Sequence, residues 1–206
     1  MTIRSLAIAA ALVALTATSG LAATVQLNVV GGQLFGARNV DVNGTFYDVE
    51  FVDGTCAIVF NGCDSVSDFE FSTLDLAEAA AISLGDTVFV DGPLGDFDSD
   101  PTLTVGIDTF AGSGRGTITV PYDFTLEFGI ERIVARSFVN RETSDLLSFS
   151  LVPIGADLSD DDTRTFARFT PSQLTPVPLP AGGFLLLAGL AGLGALRARR
   201  NKDTAH

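Results

Sequence analysis

Over much of residues 24–176 side chains alternate between apolar and polar, and this period of two limits the chain to half-buried β-strands more strongly than any other feature. Tyr122, Phe124, Leu126 and Phe128 alternate with Asp123, Thr125 and Glu127; Leu147, Phe149 and Leu151 alternate with Ser148 and Ser150. Tyr47, Val49 and Phe51 alternate with Asp48 and Glu50 directly after Asn43-Gly44, the pair best suited to the positive φ angles of a tight hairpin turn, so Arg38–Val42 is expected to pair with Thr45–Val52. Further extended segments are expected at Val25–Val30, Ala57–Phe60, Thr87–Val90, Leu103–Ile107, Gly116–Val120, Arg132–Val139 and Thr163–Phe169. One segment breaks the pattern. Ser72–Leu84 has a serine cap with Asp75 three residues on, a run of alanines and leucines, and Gly85 to end it, which predicts one helix of about three turns. The expected fold class is mainly β: an antiparallel, sandwich-like domain of two packed sheets with one short helix over an edge or end, followed by a C-terminal transmembrane helix.

Charge narrows the partners. Of the 206 residues, those between 24 and 176 carry seven arginines, no lysine and twenty-four acids, a net charge of −17. Such a surface repels phosphate backbones and anionic headgroups, which argues against nucleic acid and leaves cations, neutral sugars and basic partners. Glu131, Arg132, Arg136 and Arg141 form a mixed-charge stretch whose arginines are expected to pair with neighbouring carboxylates, and Asp160-Asp161-Asp162 is expected to be a solvated loop.

The two ends differ in kind from the middle. Arg4 precedes twelve residues from Leu6 to Ala17 that are apolar or small, and small residues up to Ala23 follow, so residues 1–23 read as a secretory signal peptide cut by signal peptidase near Ala22 or Ala23. At the other end Val177-Pro178-Leu179-Pro180-Ala181 leads into an apolar stretch from Gly182 to Leu196, closed by the cations Arg197, Arg199, Arg200 and Lys202. The leucines favour membrane insertion while the cations resist translocation and hold the C-terminus in the cytosol. From Ala181 the span is only about 24 Å at ~1.5 Å per residue, thin for a ~30 Å hydrocarbon core, so the transmembrane helix is a weak anchor. The prolines stop the helix from extending outward and keep the preceding backbone open to a peptidase.

Residues 177–202 resemble the VPLPA-type PEP-CTERM sorting signal of Gram-negative bacteria, and Val177, Pro178, Leu179, Pro180 and Ala181 match its motif letter for letter. The resemblance implies processing by an exosortase and delivery to the cell surface or an extracellular polysaccharide matrix, after a membrane-tethered stage. An ordinary tail anchor is the competing reading, and Gly182-Gly183 is also similar to the signal used by rhombosortases. Gly44–Pro101 resembles other exported proteins bearing the same signal, a likeness that brings no activity with it.

Cys56 and Cys63 are the only cysteines, and behind a signal peptide they predict a structural disulfide, worth roughly 2.5 kcal/mol on the chain-entropy estimate. A catalytic dithiol is disfavoured because the spacing is not Cys-x-x-Cys, and no zinc site can be built with His206 as the sole histidine. Asp96, Asp98 and Asp100, at alternate positions in a Gly- and Pro-rich loop, could turn toward one Ca²⁺ ion; the competing reading is a solvated acidic turn, since Pro101 and Ile107 stand where an EF-hand needs glycine and glutamate. No other cofactor is indicated. Gly112-Ser113-Gly114-Arg115-Gly116 lacks the lysine and spacing of a phosphate loop and is expected to be a hairpin loop. Without a histidine between the ends, Ser-His-Asp, Cys-His and His-metal catalysis are excluded and no catalytic constellation is recognisable. The expectation is a non-enzymatic structural or glycan-interaction module, the alternative a carboxylate-dependent glycan hydrolase or lyase.

Overall fold

The computed structural model describes residues 24–108 and 114–173. Three strands come first: β1 (Gln26–Val30), β2 (Gln33–Val42) and β3 (Thr45–Val52). Asn43 and Gly44 turn between β2 and β3 with φ of 53° and 85°, the two positive values that a two-residue hairpin with native twist demands, and Asp41 accepts a 2.6 Å hydrogen bond from the Gly44 amide. Two helices follow, α1 (Cys56–Val59) and α2 (Leu74–Thr87), then a ribbon of two-residue strands, β4 (Asp91–Gly92) and β5 (Gly95–Asp96). A second meander, β6 (Arg115–Glu127), β7 (Ile130–Arg141) and β8 (Leu146–Pro153), precedes β9 (Arg164–Pro171).

The fold is mainly β, and apart from the β4–β5 ribbon its strands form one seven-stranded sheet in the order β1-β2-β3-β9-β6-β7-β8. The last strand enters the middle. β9 runs antiparallel to β3 and parallel to β6, with Thr117 opposite Arg164, so it joins two three-stranded meanders. The expectation of two packed antiparallel sheets is therefore corrected: among the described residues one mixed sheet carries both cores. Alternation records that a face is covered and not what covers it. On one face α2 lays Ala77, Ala80, Ala81 and Leu84, all fully buried and spaced as one helical stripe, over Val40, Ile118 and Phe138. Phe51, Phe89 and Phe138 stack there with ring centroids 5.4 and 5.3 Å apart. The other face buries Val59, Phe69, Ile133, Leu158 and Phe166 around the Cys56–Cys63 disulfide.

Several elements differ from their expected form. The helix expected over Ser72–Leu84 is capped by Thr73, which accepts from the Leu76 amide at 3.4 Å, and it runs through Gly85 to Thr87. Gly85 does not end the helix but lets it approach the sheet, because a Cβ there would lie 2.5 Å from the Phe138 ring. Residues 57–60, expected extended, turn as α1: Phe60 N–H reaches Cys56 O at 2.9 Å, and the turn leaves the bridged Cα atoms 5.8 Å apart. The short disulfide loop overrides the β-propensity of Ala-Ile-Val-Phe. Thr87 ends α2 and Val88 and Phe89 are buried beyond it, while Leu103 ends a 3-10 turn and the residues after it make isolated bridges, Leu34 to Thr104 and Ile107 to Thr163. Phe128 leaves the strand pattern to share a two-residue turn with Gly129, at φ 52° and 79°, and is 94% exposed. The expected hairpin loop at Gly112 lies partly outside the described residues, and β6, which follows it, pairs with β7 and β9.

Candidate functional site

Where β3 passes β9, the face turned away from α2 carries Asp48, Glu50, Arg168 and Thr170, because their neighbours Val49, Ala167 and Phe169 are committed to the α2 core. Glu50 lies directly opposite Arg168 in the ladder and the two are ion-paired; the same guanidinium donates to the Val59 carbonyl at the end of α1, 3.3 Å away. Asp48 accepts from the Asn39 amide at 3.2 Å and from the Ser172 hydroxyl. The disulfide loop forms the facing wall. Together they enclose an open cleft of about 410 Å³ between the sheet and Phe60, Asn61, Asp68, Phe69 and Glu70.

The wall is fixed by covalent and electrostatic closure at once. Asp68 Oδ2 accepts the amides of Cys63 at 2.9 Å and of Asp64 and Ser65, each at 3.1 Å, tying the far end of the disulfide loop to a short 3-10 helix, Val66–Asp68, that Ser65 caps. The Asp64 amide first, with those of Ser65 and Cys63, holds the Asp68 carboxyl below the ordinary aspartate range. Phe60 and Phe69 meet edge to face at 5.4 Å, and Phe69 continues to Phe124 at 4.9 Å, so the apolar side of the cleft is rooted in the core. Glu70 is different. It has no ion pair among the described residues and is solvent-exposed, and desolvation by its surroundings raises its carboxyl above the ordinary glutamate range.

Chemically the cleft offers carboxylate acceptors, one arginine and an aromatic wall, a set suited to hydroxyl-rich or cationic ligands. Hydrolysis of a glycosidic bond needs two carboxyl groups free to act across it. Here Asp48, Glu50 and Asp68 already hold structural partners, leaving Glu70 as the uncommitted acid.

Sequence-predicted sites fare unequally. Cys56 and Cys63 are bonded. Asp96 sits in β5, and Asp100 accepts from the Thr102 amide and hydroxyl at 3.1 and 2.6 Å to cap a 3-10 helix, Pro101–Leu103. Asp91 organises that loop instead, accepting from the amides of Asp98 and Ser99 at 3.0 and 3.1 Å. Asp98 faces Asp145 of the β7–β8 turn, whose carboxyl is raised by burial and by this neighbouring charge. Among the described residues no three carboxylate, cysteine or histidine side chains are grouped to hold a metal ion. Arg132 and Arg136 pair with Glu127 and Glu78 at 2.9 and 3.2 Å, as expected. Asp161, expected to be solvated with its neighbours, is tied to Thr163 and to Arg164. Val177, Pro178, Leu179, Pro180 and Ala181, the apolar stretch, and Arg197, Arg199, Arg200 and Lys202 lie outside the described residues, as does the segment 1–23.

Among the cleft residues, Asp68, Glu70 and Arg168 escaped the sequence reading. Asp68 carried a usable signal, the Ser65-x-x-Asp68 spacing of a capping box, whereas Arg168 becomes a cleft residue only through the β3–β9 pairing, which joins positions 118 residues apart. Compared with known proteins, no family model matches the chain, and neither a curated protein nor a solved structure does.

Proposed function

We propose that the chain is an exported cell-surface or matrix protein, released through its C-terminal VPLPA-type sorting signal, whose domain acts as a non-enzymatic interaction module. The observation that carries the reading is the order of parts: a signal peptide, an acidic β-domain, then Val177-Pro178-Leu179-Pro180-Ala181, an apolar stretch and a basic tail. Two structural features support it. The Cys56–Cys63 bridge suits an oxidising compartment, and β9, the last strand among the described residues, ends at Pro171, ahead of the motif that begins at Val177. Signal peptidase and an exosortase are its processing partners, the membrane its transient anchor, and an extracellular polysaccharide the ligand class that the cleft's acceptors and aromatic wall fit. The test is retention of the exported protein on the producer's own polysaccharide. Binding that is lost with Arg168→Ala supports the module, and no retention at any salt concentration defeats it.

A second reading rests on Glu70, whose raised carboxyl lies in the same cleft. A carboxylate-dependent glycan hydrolase or lyase would use it as the acid. Turnover of matrix glycan that collapses in Glu70→Gln would favour this reading, and absence of turnover removes it.

A further inference from the structure

β8 is an edge strand: among the described residues it pairs with β7 alone. An exposed edge presents unpaired amides and carbonyls, and soluble proteins ordinarily blunt such edges with charge, proline or a bulge. β8 carries little such protection. Leu146-Leu147-Ser148-Phe149-Ser150-Leu151-Val152-Pro153 has no charged residue in a domain of net charge −17, its register with β7 is unbroken, and its proline stands at the very end. The opposite edge, β1, is only five residues long and bulged between Asn28 and Val29.

The direction of the free hydrogen-bonding groups follows from the ladder. Ile154 N–H donates to Glu131 O at 3.1 Å, and since bonded and non-bonded pairs alternate, Leu146, Ser148, Ser150 and Val152 face β7 while Leu147, Phe149 and Leu151 turn their amides and carbonyls outward. Those residues lie in a palindrome, Leu147-Ser148-Phe149-Ser150-Leu151. A strand that reads the same both ways is complementary to its own antiparallel copy. Rotation about Phe149 sets Leu147 against Leu151, Ser148 against Ser150 and Phe149 against itself, with outward groups meeting outward groups and roughly six new backbone hydrogen bonds. Phe149 is 53% exposed and Leu146 37%, although both are large and apolar. Charge selects the location as well, because two copies this acidic repel one another except along an uncharged edge.

We propose that β8 joins two copies of this chain, antiparallel and two-fold about Phe149, so that the sheet continues from one copy into the other. The contact is isologous and closes at two. It does not depend on the sorting reading. Rising salt strengthens it by screening the repulsion between the acidic bodies.

The test uses the full chain. With Cys56 and Cys63 bonded, Phe149→Cys supplies the one free thiol, placed against its twin at the two-fold; mild oxidation should give a covalent dimer on a non-reducing gel. Phe128→Cys, at a more exposed position on the β6–β7 turn, should give far less. Phe149→Asp opposes two carboxylates and should weaken self-association by about tenfold or more in sedimentation, with an unchanged circular dichroism spectrum because Phe149 is not a core residue. A wild-type chain that sediments as a monomer, a dimer that survives Phe149→Asp, or equal cross-linking at the two cysteine positions would overturn the proposal. Cover of β8 by another segment of the same chain would appear as a monomer with a protected Phe149→Cys thiol, and is likewise a refutation.

Discussion

Asp68 and Glu70 stand in the same wall of the cleft and titrate in opposite directions. Asp68 is lowered by the amides it receives, so its contribution to stability is present above the ordinary aspartate range and is lost as pH falls through the lowered value. Glu70 is raised by desolvation; its contribution is present below the ordinary glutamate range and is lost as pH rises through the raised value. Glu70→Gln should therefore raise the melting temperature at neutral pH and flatten its decline between acidic and neutral pH. Asp68→Asn should lower it at neutral pH and remove part of the acid lability. Melting curves across pH read both, and equal shifts at every pH would show that neither carboxyl is linked to folding. How legible a residue was depended on the reach of its partners. Asn43-Gly44 act on their own backbone and Cys56 finds Cys63 within one loop, so both could be read directly. Asp100 reads in the sequence as either a candidate ligand or a turn former, and in the structure its carboxylate caps the next turn.

At the scale of elements, α2 and α1 show propensity yielding to contact. Gly85→Ala ought to favour the helix by about 1 kcal/mol, yet its Cβ would stand 2.5 Å from a ring of Phe138 that is only 5% exposed. Overpacking of this kind costs about 1–3 kcal/mol, so the net effect should be destabilising by about 1 kcal/mol or more in denaturant unfolding. A neutral or stabilised variant would mean that the helix can lift from the sheet. Removing the bridge with Cys56→Ser and Cys63→Ser should lower stability by roughly 2.5 kcal/mol and loosen the cleft wall, since α1 is extended-prone sequence held in a turn by the loop it closes. Unchanged stability would assign the closure to Asp68 instead. The helix around residues 74–84 was legible because a hydroxyl cap precedes a run of alanines and leucines, both local signals. Its true end was not, because glycine both terminates helices and permits close approach, and only Phe138 decides which applies.

For the whole molecule, the C-terminal segment is read as a transit device, and its processing is the decisive measurement. Pro178→Ala with Pro180→Ala would let helix extend through the motif and should leave a full-length, membrane-retained chain; otherwise intact mass of the surface form should place its C-terminus between Val177 and Gly183. Surface protein that still carries Arg197–His206 would make the segment a plain tail anchor. Sequence by itself determined what is local: strand-forming alternation, the Asn43-Gly44 hairpin, the alanine- and leucine-rich helix, the Cys56–Cys63 bridge and the acid surplus, each set by neighbours a few residues apart. Only the tertiary structure decided the single mixed sheet, with β9 inserted between β3 and β6, and hence the cleft that brings Arg168 to Glu50 and Val59. Alternation says that a strand has one covered face but carries no label for its partner; pairing distant strands is settled by the burial of all of them together.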